Sequence, residues 1–181
     1  MIPRFDPTRA IIYDFARGQL KDDEERPRLN LPCDLLLRLC HDAGEEAAVN
    51  FASELGTEMG RRILDKMGPD AEAASLEQWV EHLGGQLALL GLGNLALERW
   101  GKALVLRVQE HPPGAAGLAA HVLMSALQRG LSRDVGFVPF AEETATAFLV
   151  LSPDSAEKAQ EWALEGSTMS QVIENLHQGA A

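Results

Sequence analysis

The feature that most limits how this chain can fold is a change of hydrophobic period at Gly91-Leu92-Gly93-Asn94. Before it, Leu76, Trp79, Val80, Leu83, Leu87 and Leu90 recur at helical spacing. After it, Leu95 and Leu97, with Arg99, take one side of a strict alternation. Leu104, Leu106 and Val108 take one side of the next, opposite Val105 and Arg107. A period of about 3.6 residues lines one face of a helix and a period of 2 lines one face of a strand, so no segment serves both. Trp100-Gly101-Lys102 is short enough to reverse the chain between the alternating runs. The spacing predicts a helix followed by a β-hairpin over 94–100 and 103–109.

The same reading extends in both directions. Pro32 to Met67 is helical, with Leu35, Leu36, Leu39 and Cys40 on one face, a break at Gly44 and a stop at Gly68-Pro69. Ser75 and Gln78 have the spacing of a capping box, in which each side chain satisfies the other residue's backbone N–H. Beyond the hairpin, His111-Pro112-Pro113-Gly114 is a loop, and a helix from Gly117 to Gly130 carries Leu118, Val122, Leu123, Ala126 and Leu127. Strands follow from Val135 to Phe140 and from Thr144 to Leu151. The last reads as apolar on both faces, which places it inside the sheet. Ser152-Pro153 opens one further helix, and Thr168 with Gln171 caps another. The expected class is α+β: N-terminal helices, then helix, β-hairpin, helix, two strands and helices around a small antiparallel sheet. At the start, Asp6-Pro7-Thr8 reads as a capped helix carrying Ile11, Ile12, Phe15 and Leu20, followed by a charged linker from Lys21 to Arg28. Residues 1–28 are thus expected to form a helical arm and linker, and 29–181 a single domain.

Charge and chemistry exclude more than they assign. A formal net charge of −11, with scattered arginines, is wrong for a phosphate backbone, which needs clustered cations. Met1 to Arg9 lacks the basic-then-apolar order of a signal peptide, and no run approaches the ~20 apolar residues of a membrane span, so a cytoplasmic protein is expected. Cys33 and Cys40, seven residues apart on one helix, are separated by about 10 Å of rise, beyond the ~7 Å Cα limit for a disulfide. None of His41, His82, His111, His121 and His177 has a recognised metal-ligand spacing. Ser132, Asp134 and His121 can be drawn as a triad, but no spacing supports it, and no nucleophile elbow is present. Gly91-Leu92-Gly93 joins helix to strand, the reverse of a dinucleotide site, and the adjacent Glu142 and Glu143 read as turn residues. No catalytic residue, metal ligand or cofactor is assigned, and the expectation is a protein that is not an enzyme.

Organisation lies instead in the apolar and small residues. Ala48, Ala52, Gly56 and Gly60 form a row at spacing four, which lets another backbone approach closely. The row serves either an interface between subunits or tight packing within one chain. Trp79, Leu83, Leu87 and Leu123 are candidate pocket residues. The three tryptophans Trp79, Trp100 and Trp162 either line an apolar pocket or fill the core, and an exposed Trp100 on the hairpin turn would mark a contact surface.

Leu92 to Glu98 and Ala103 to Val108, with the helix and strand pair that follow, resemble the small-ligand-binding domains of the four-vinyl-reductase type, whose fold is shared by subunits of the TRAPP tethering complex. Leu55 to Ile63 and Leu87 to Gly93 also look like the D-type accessory protein of bacterial cellulose synthase. The similarity covers about residues 45–151 and rests on hydrophobic patterns with glycines. It implies a homodimer built on helices, an apolar pocket or tunnel between helices and sheet, and no fixed catalytic set. The implied function is a bacterial adaptor or ligand-binding protein for a small hydrophobic ligand or partner protein. The alternative is a structural subunit of a cellulose or exopolysaccharide synthesis and secretion complex. The chain departs from these families in lacking cysteines in its last strand pair and in continuing through helices from Ser152 to Gln178.

Overall fold

A computed structural model describes residues 4–130, 136–142 and 145–179. It is α+β, with the period change falling where the sequence places it. Two short strands, β1 (Ile12–Asp14) and β2 (Gln19–Lys21), come first. Helix α1 (Cys33–Ala43) and α2 (Glu45–Met67) meet at Gly44, and a 3-10 turn over Gly68–Ala73 leads to α3 (Leu76–Leu89). Ser75 and Gln78 form the expected reciprocal cap at the start of α3. Strands β3 (Asn94–Trp100) and β4 (Ala103–Gln109) form the hairpin, α4 (Ala116–Gly130) crosses over, and β5 (Gly136–Ala141) and β6 (Ala145–Leu151) complete a sheet of order β3-β4-β6-β5. Val135 and Thr144, the expected first residues of the last two strands, lie outside the described residues. Helices α5 (Pro153–Leu164) and α6 (Met169–Gly179) follow, and Thr168 and Gln171 cap α6 as expected.

All three pairings in this sheet are antiparallel, with Leu106 opposite Phe148 and Val105 opposite Leu149. That register sends the two sets of alternating residues to opposite faces. Leu95, Leu106, Val108, Phe137 and Phe148 pack under α2, α3 and α4. Val105, Val138, Ala147 and Leu149 pack under α5 and α6 through Ala159, Val172 and Ile173. The C-terminal helices therefore cover a sheet face that would otherwise be wet. Interior strand β6 is buried on both sides from Ala145 to Leu149, as its unbroken apolar run requires.

The N-terminal helical arm and linker expected over 1–28 are not what the described residues form. Ile12–Asp14 is strand β1, Gln19–Lys21 is strand β2, and Tyr13 pairs with Leu20. Asp6 caps no helix: it closes a turn, accepting from the N–H of Thr8 at 3.0 Å. Ile11-Ile12-Tyr13 is a β-branched and aromatic run, which prefers a pleated backbone. Asp14 accepts from the N–H of Arg17, and Gly18 adopts a φ of 62°, together closing the turn. The charged stretch is also not a loose linker. Asp22 is 1% exposed. One of its oxygens accepts from the N–H groups of Glu24 and Arg26, and the other from Arg26 Nε at 3.0 Å. Arg28 and Arg62 approach that second oxygen at 3.4 Å each, and Arg62 ties the knot to α2. Further upstream, Phe5 lies in the space that a side chain at Gly85 would fill and meets His82 edge-on at 6.3 Å.

Helices α2 and α4 are held together by the small-residue row. A Cβ at Gly56 would lie 2.3 Å from the Val122 carbonyl oxygen, and one at Gly60 2.5 Å from that of Ala126. Both partners belong to α4 of the same chain, so the proposed intersubunit role of this row is corrected at these positions. A backbone that meets backbone here leaves no room for a second molecule.

Replacing Gly56 by Ala should cost about 1–3 kcal/mol, because a rigid carbonyl rather than a flexible side chain must move. Urea unfolding would show it, and an unchanged midpoint would contradict the close packing. For Asp22, burial pushes the carboxyl pKa up, but the hydrogen bonds from Arg26 and Glu24 outweigh it and hold the pKa below its ordinary value. The stability that it contributes is then complete above the unfolded-state pKa and lost as pH falls through the folded one. Asp22→Asn should cost about 2 kcal/mol at pH 7, and its gap from wild type should close below about pH 4 in unfolding curves taken across pH.

Candidate functional site

Where α2 and α4 part company, at their N-terminal ends, a cleft opens. Its cavity of about 360 Å³ is bounded by Leu37, Cys40 and His41 on α1, Glu45 to Ala52 on α2, and Gly114 to His121 at the start of α4. That volume takes roughly a dozen water-sized groups. The walls are largely hydrocarbon, from Leu37, Val49, Ala52 and Leu118. Ala48 and Ala52, the first half of the small-residue row, belong to this wall and not to the seam. Gly117 would have nothing within 4 Å of an added Cβ, so the space beside it is open.

The polar lining consists of His41, Glu45 and His121. The ring Nδ1 of His121 lies 2.8 Å from the Gly117 carbonyl, one turn back. A carbonyl only accepts, so this nitrogen donates, and in the neutral form of the ring Nε2 is then an acceptor. Glu45 is the first residue of α2 and exposed, an acceptor with full charge at the mouth. Both cysteines are free and half-buried, and Cys40 lines the cleft. Burial, with the Asp34 charge, pushes the Cys33 thiol up, away from a nucleophilic thiolate.

The expected pocket residues are elsewhere. Trp79, Leu83, Leu87 and Leu123 are each 1% exposed or less and pack into the core on the α2–α4 side of the sheet. The indole of Trp79 fills the space over Gly130. Their periodicity is core periodicity, and sequence alone does not distinguish a residue lining a cavity from one filling it. Trp100 is half-buried, donates from Nε1 to Glu98 at 2.9 Å and packs with Trp162 against the α5–α6 side, so the tryptophans do not line one pocket. Beside it a hollow of about 450 Å³ opens toward Phe140, Glu142 and Thr168. The nearby charges are already matched: Arg107 bonds both Glu98 and Glu142, and the Glu142 bond foremost pushes its pKa up.

The remaining candidates do not converge. His82 is buried in the core, His111 sits in its loop with Nδ1 3.3 Å from the Pro112 carbonyl, and His177 lies near the hairpin tip at Gly101. Ser132, Asp134 and Glu143 lie outside the described residues. Among the described residues no group of three or more His, Cys, Asp or Glu side chains could hold a metal ion, and no helix is long and apolar enough to cross a membrane. What could have pointed to the cleft is the register of the row. Gly56 meets Val122 and Gly60 meets Ala126, an offset that carries Ala52 to Leu118 and Ala48 to Gly114. The sequence of α2 alone does not contain that offset.

The sequence matches no known protein-family profile and none of the curated protein sequences.

Removing the open space should separate shape from stability. Gly117→Ala, at an early helical position with no neighbour to displace, should leave stability unchanged or raise it by up to about 1 kcal/mol. Thermal unfolding beside Gly56→Ala tests the contrast, and a loss of similar size in both would show that the cleft is in fact closed.

Proposed function

We propose that this chain is a non-enzymatic binding protein that holds a small, largely apolar ligand between α1, α2 and α4. The observation that carries the reading is the pairing of an apolar-walled cavity of about 360 Å³ with open space at Gly117. The same two helices are packed backbone to backbone one turn further on, at Gly56. Of the two roles implied by the resemblance, ligand pocket and helix-built interface, the consumed Gly56–Gly60 seam favours the first. The resemblance to small-ligand-binding domains supports it without supplying a site residue. 1-Octanol, titrated into the full chain and followed by amide chemical shifts, should move residues of Ala48–Ala52 and Gly117–His121. Gly117→Leu, which fills the cleft with side chain, should abolish those shifts. Shifts that persist in the variant, or none in wild type, would overturn the reading.

A second reading, the homodimer, has its own observation. Helix α1 has no buried residue, and Leu35 and Leu39 on it are 37% and 54% exposed. Leu31, just before the helix, extends their spacing of four and is 41% exposed. Such a row is suited to a second copy of itself. Light scattering at about 10 μM should then give twice the chain mass, reverting to the monomer in Leu35→Glu/Leu39→Glu. A monomeric wild type would remove this reading and leave the ligand cleft standing.

A further inference from the structure

Resting on the cleft reading above, we infer that the ligand is a cationic amphiphile: a short apolar body carrying a primary ammonium, not a carboxylate. Two of the three polar side chains that line the cavity offer acceptors; the third, His41, lies on the last turn of α1. His121 has its Nδ1 proton committed to the Gly117 carbonyl, which leaves Nε2 to accept, and Glu45 is a carboxylate. An ammonium brings three donors to these acceptors, a hydroxyl brings one, and a carboxylate brings none.

The charge balance points the same way. Three helix ends line the cleft: the C-terminal turn of α1 and the N-terminal turns of α2 and α4. Each contributes about half a unit of charge, negative from the first and positive from the other two. The full negative charge of Glu45 exceeds the remainder by about half a unit. Glu45 is exposed at the mouth of the cleft. Around it the chain as a whole carries −11, a field that draws cations and repels anions. The apolar wall of Leu37, Val49, Ala52 and Leu118 supplies the burial that a bare ammonium ion would not use. A body of roughly eight carbons suits the volume.

The test compares octylammonium, 1-octanol and octanoate, equal in chain length, by calorimetric titration of the full chain at pH 8, above the usual imidazole range. Octylammonium should bind about tenfold more tightly than 1-octanol, and octanoate more weakly than either. Glu45→Gln, an exposed substitution, should weaken octylammonium about tenfold and leave 1-octanol unchanged. If 1-octanol binds and octylammonium gains nothing over it, the ammonium assignment is wrong and the cleft stands. Octanoate binding as tightly as octylammonium, or Glu45→Gln leaving the octylammonium affinity intact, also overturns it. If none of the three binds, the cleft reading falls and this one with it.

Discussion

The contact of α2 with α4 through Gly56 and Gly60 sets the geometry of one whole layer of the molecule. Neither glycine has a side chain to hold the helices apart, and carbonyl oxygens of α4 occupy the space where a Cβ would be. At that separation the flanking side chains must turn outward or down. Met59 and Ile63 on α2, with Val122, Leu123 and Leu127 on α4, belong to the core on that side of the sheet and are nearly all fully buried. A bulkier pair of helices would stand further off and leave Phe148 and Leu106 without a roof. Trp79 depends on the same spacing, since its indole occupies the gap beside Gly130 at the far end of α4.

The sheet is covered from both sides by different parts of the chain. The strands alternate between the two cores, so each residue of β6 from Ala145 to Leu149 is buried whichever way it points. On the second face Glu98, Arg107, Glu142 and the Trp100 indole satisfy one another. The N-terminal segment is held by other means. Its exposed Tyr13 and Phe15 stack on each other, while Asp22 gathers three guanidinium groups around a carboxylate that water barely reaches. A lone buried charge would cost several kcal/mol, so the knot stands only because nearly every lone pair of that carboxylate has a partner.

How much of this the sequence shows depends on how local each cause is. The helix-to-hairpin switch at Gly91-Leu92-Gly93, the capping pairs Ser75/Gln78 and Thr168/Gln171, and the buried strand 145–151 are written in residues that touch within a few positions of each other. They are legible for that reason. Asp6-Pro7-Thr8 has the residues of a helix start, but the path of the chain after it is decided by Asp14 and Gly18 closing a tight turn and by Phe5 docking against Gly85, some eighty residues away. The run 21–28 reads as a solvated linker because charge usually means water. Arg62, which helps to bury Asp22, is forty positions distant. The four pocket candidates share the fate of most apolar periodic residues: the pattern marks an inner face and does not say whether that face meets a void or a neighbour.

The small-residue row shows how one repeat produces both a seam and a cleft. Its four members are equally spaced but unequal in size, with alanine at 48 and 52 and glycine at 56 and 60. Toward the glycines the helix backbones touch. Toward the alanines each methyl keeps the partner further away, and the chain enters α4 there through Gly114 and Gly117, which cannot fill the gap from the other side. The result is a groove shut at one end and open at the other, roofed by the last turns of α1. A row read as a surface for another chain is thus used up along half its length in folding, and the half left over faces a cavity. Whatever binds there meets walls fixed by the seam, because the cleft cannot narrow without the glycine contact closing further, and that contact has no slack.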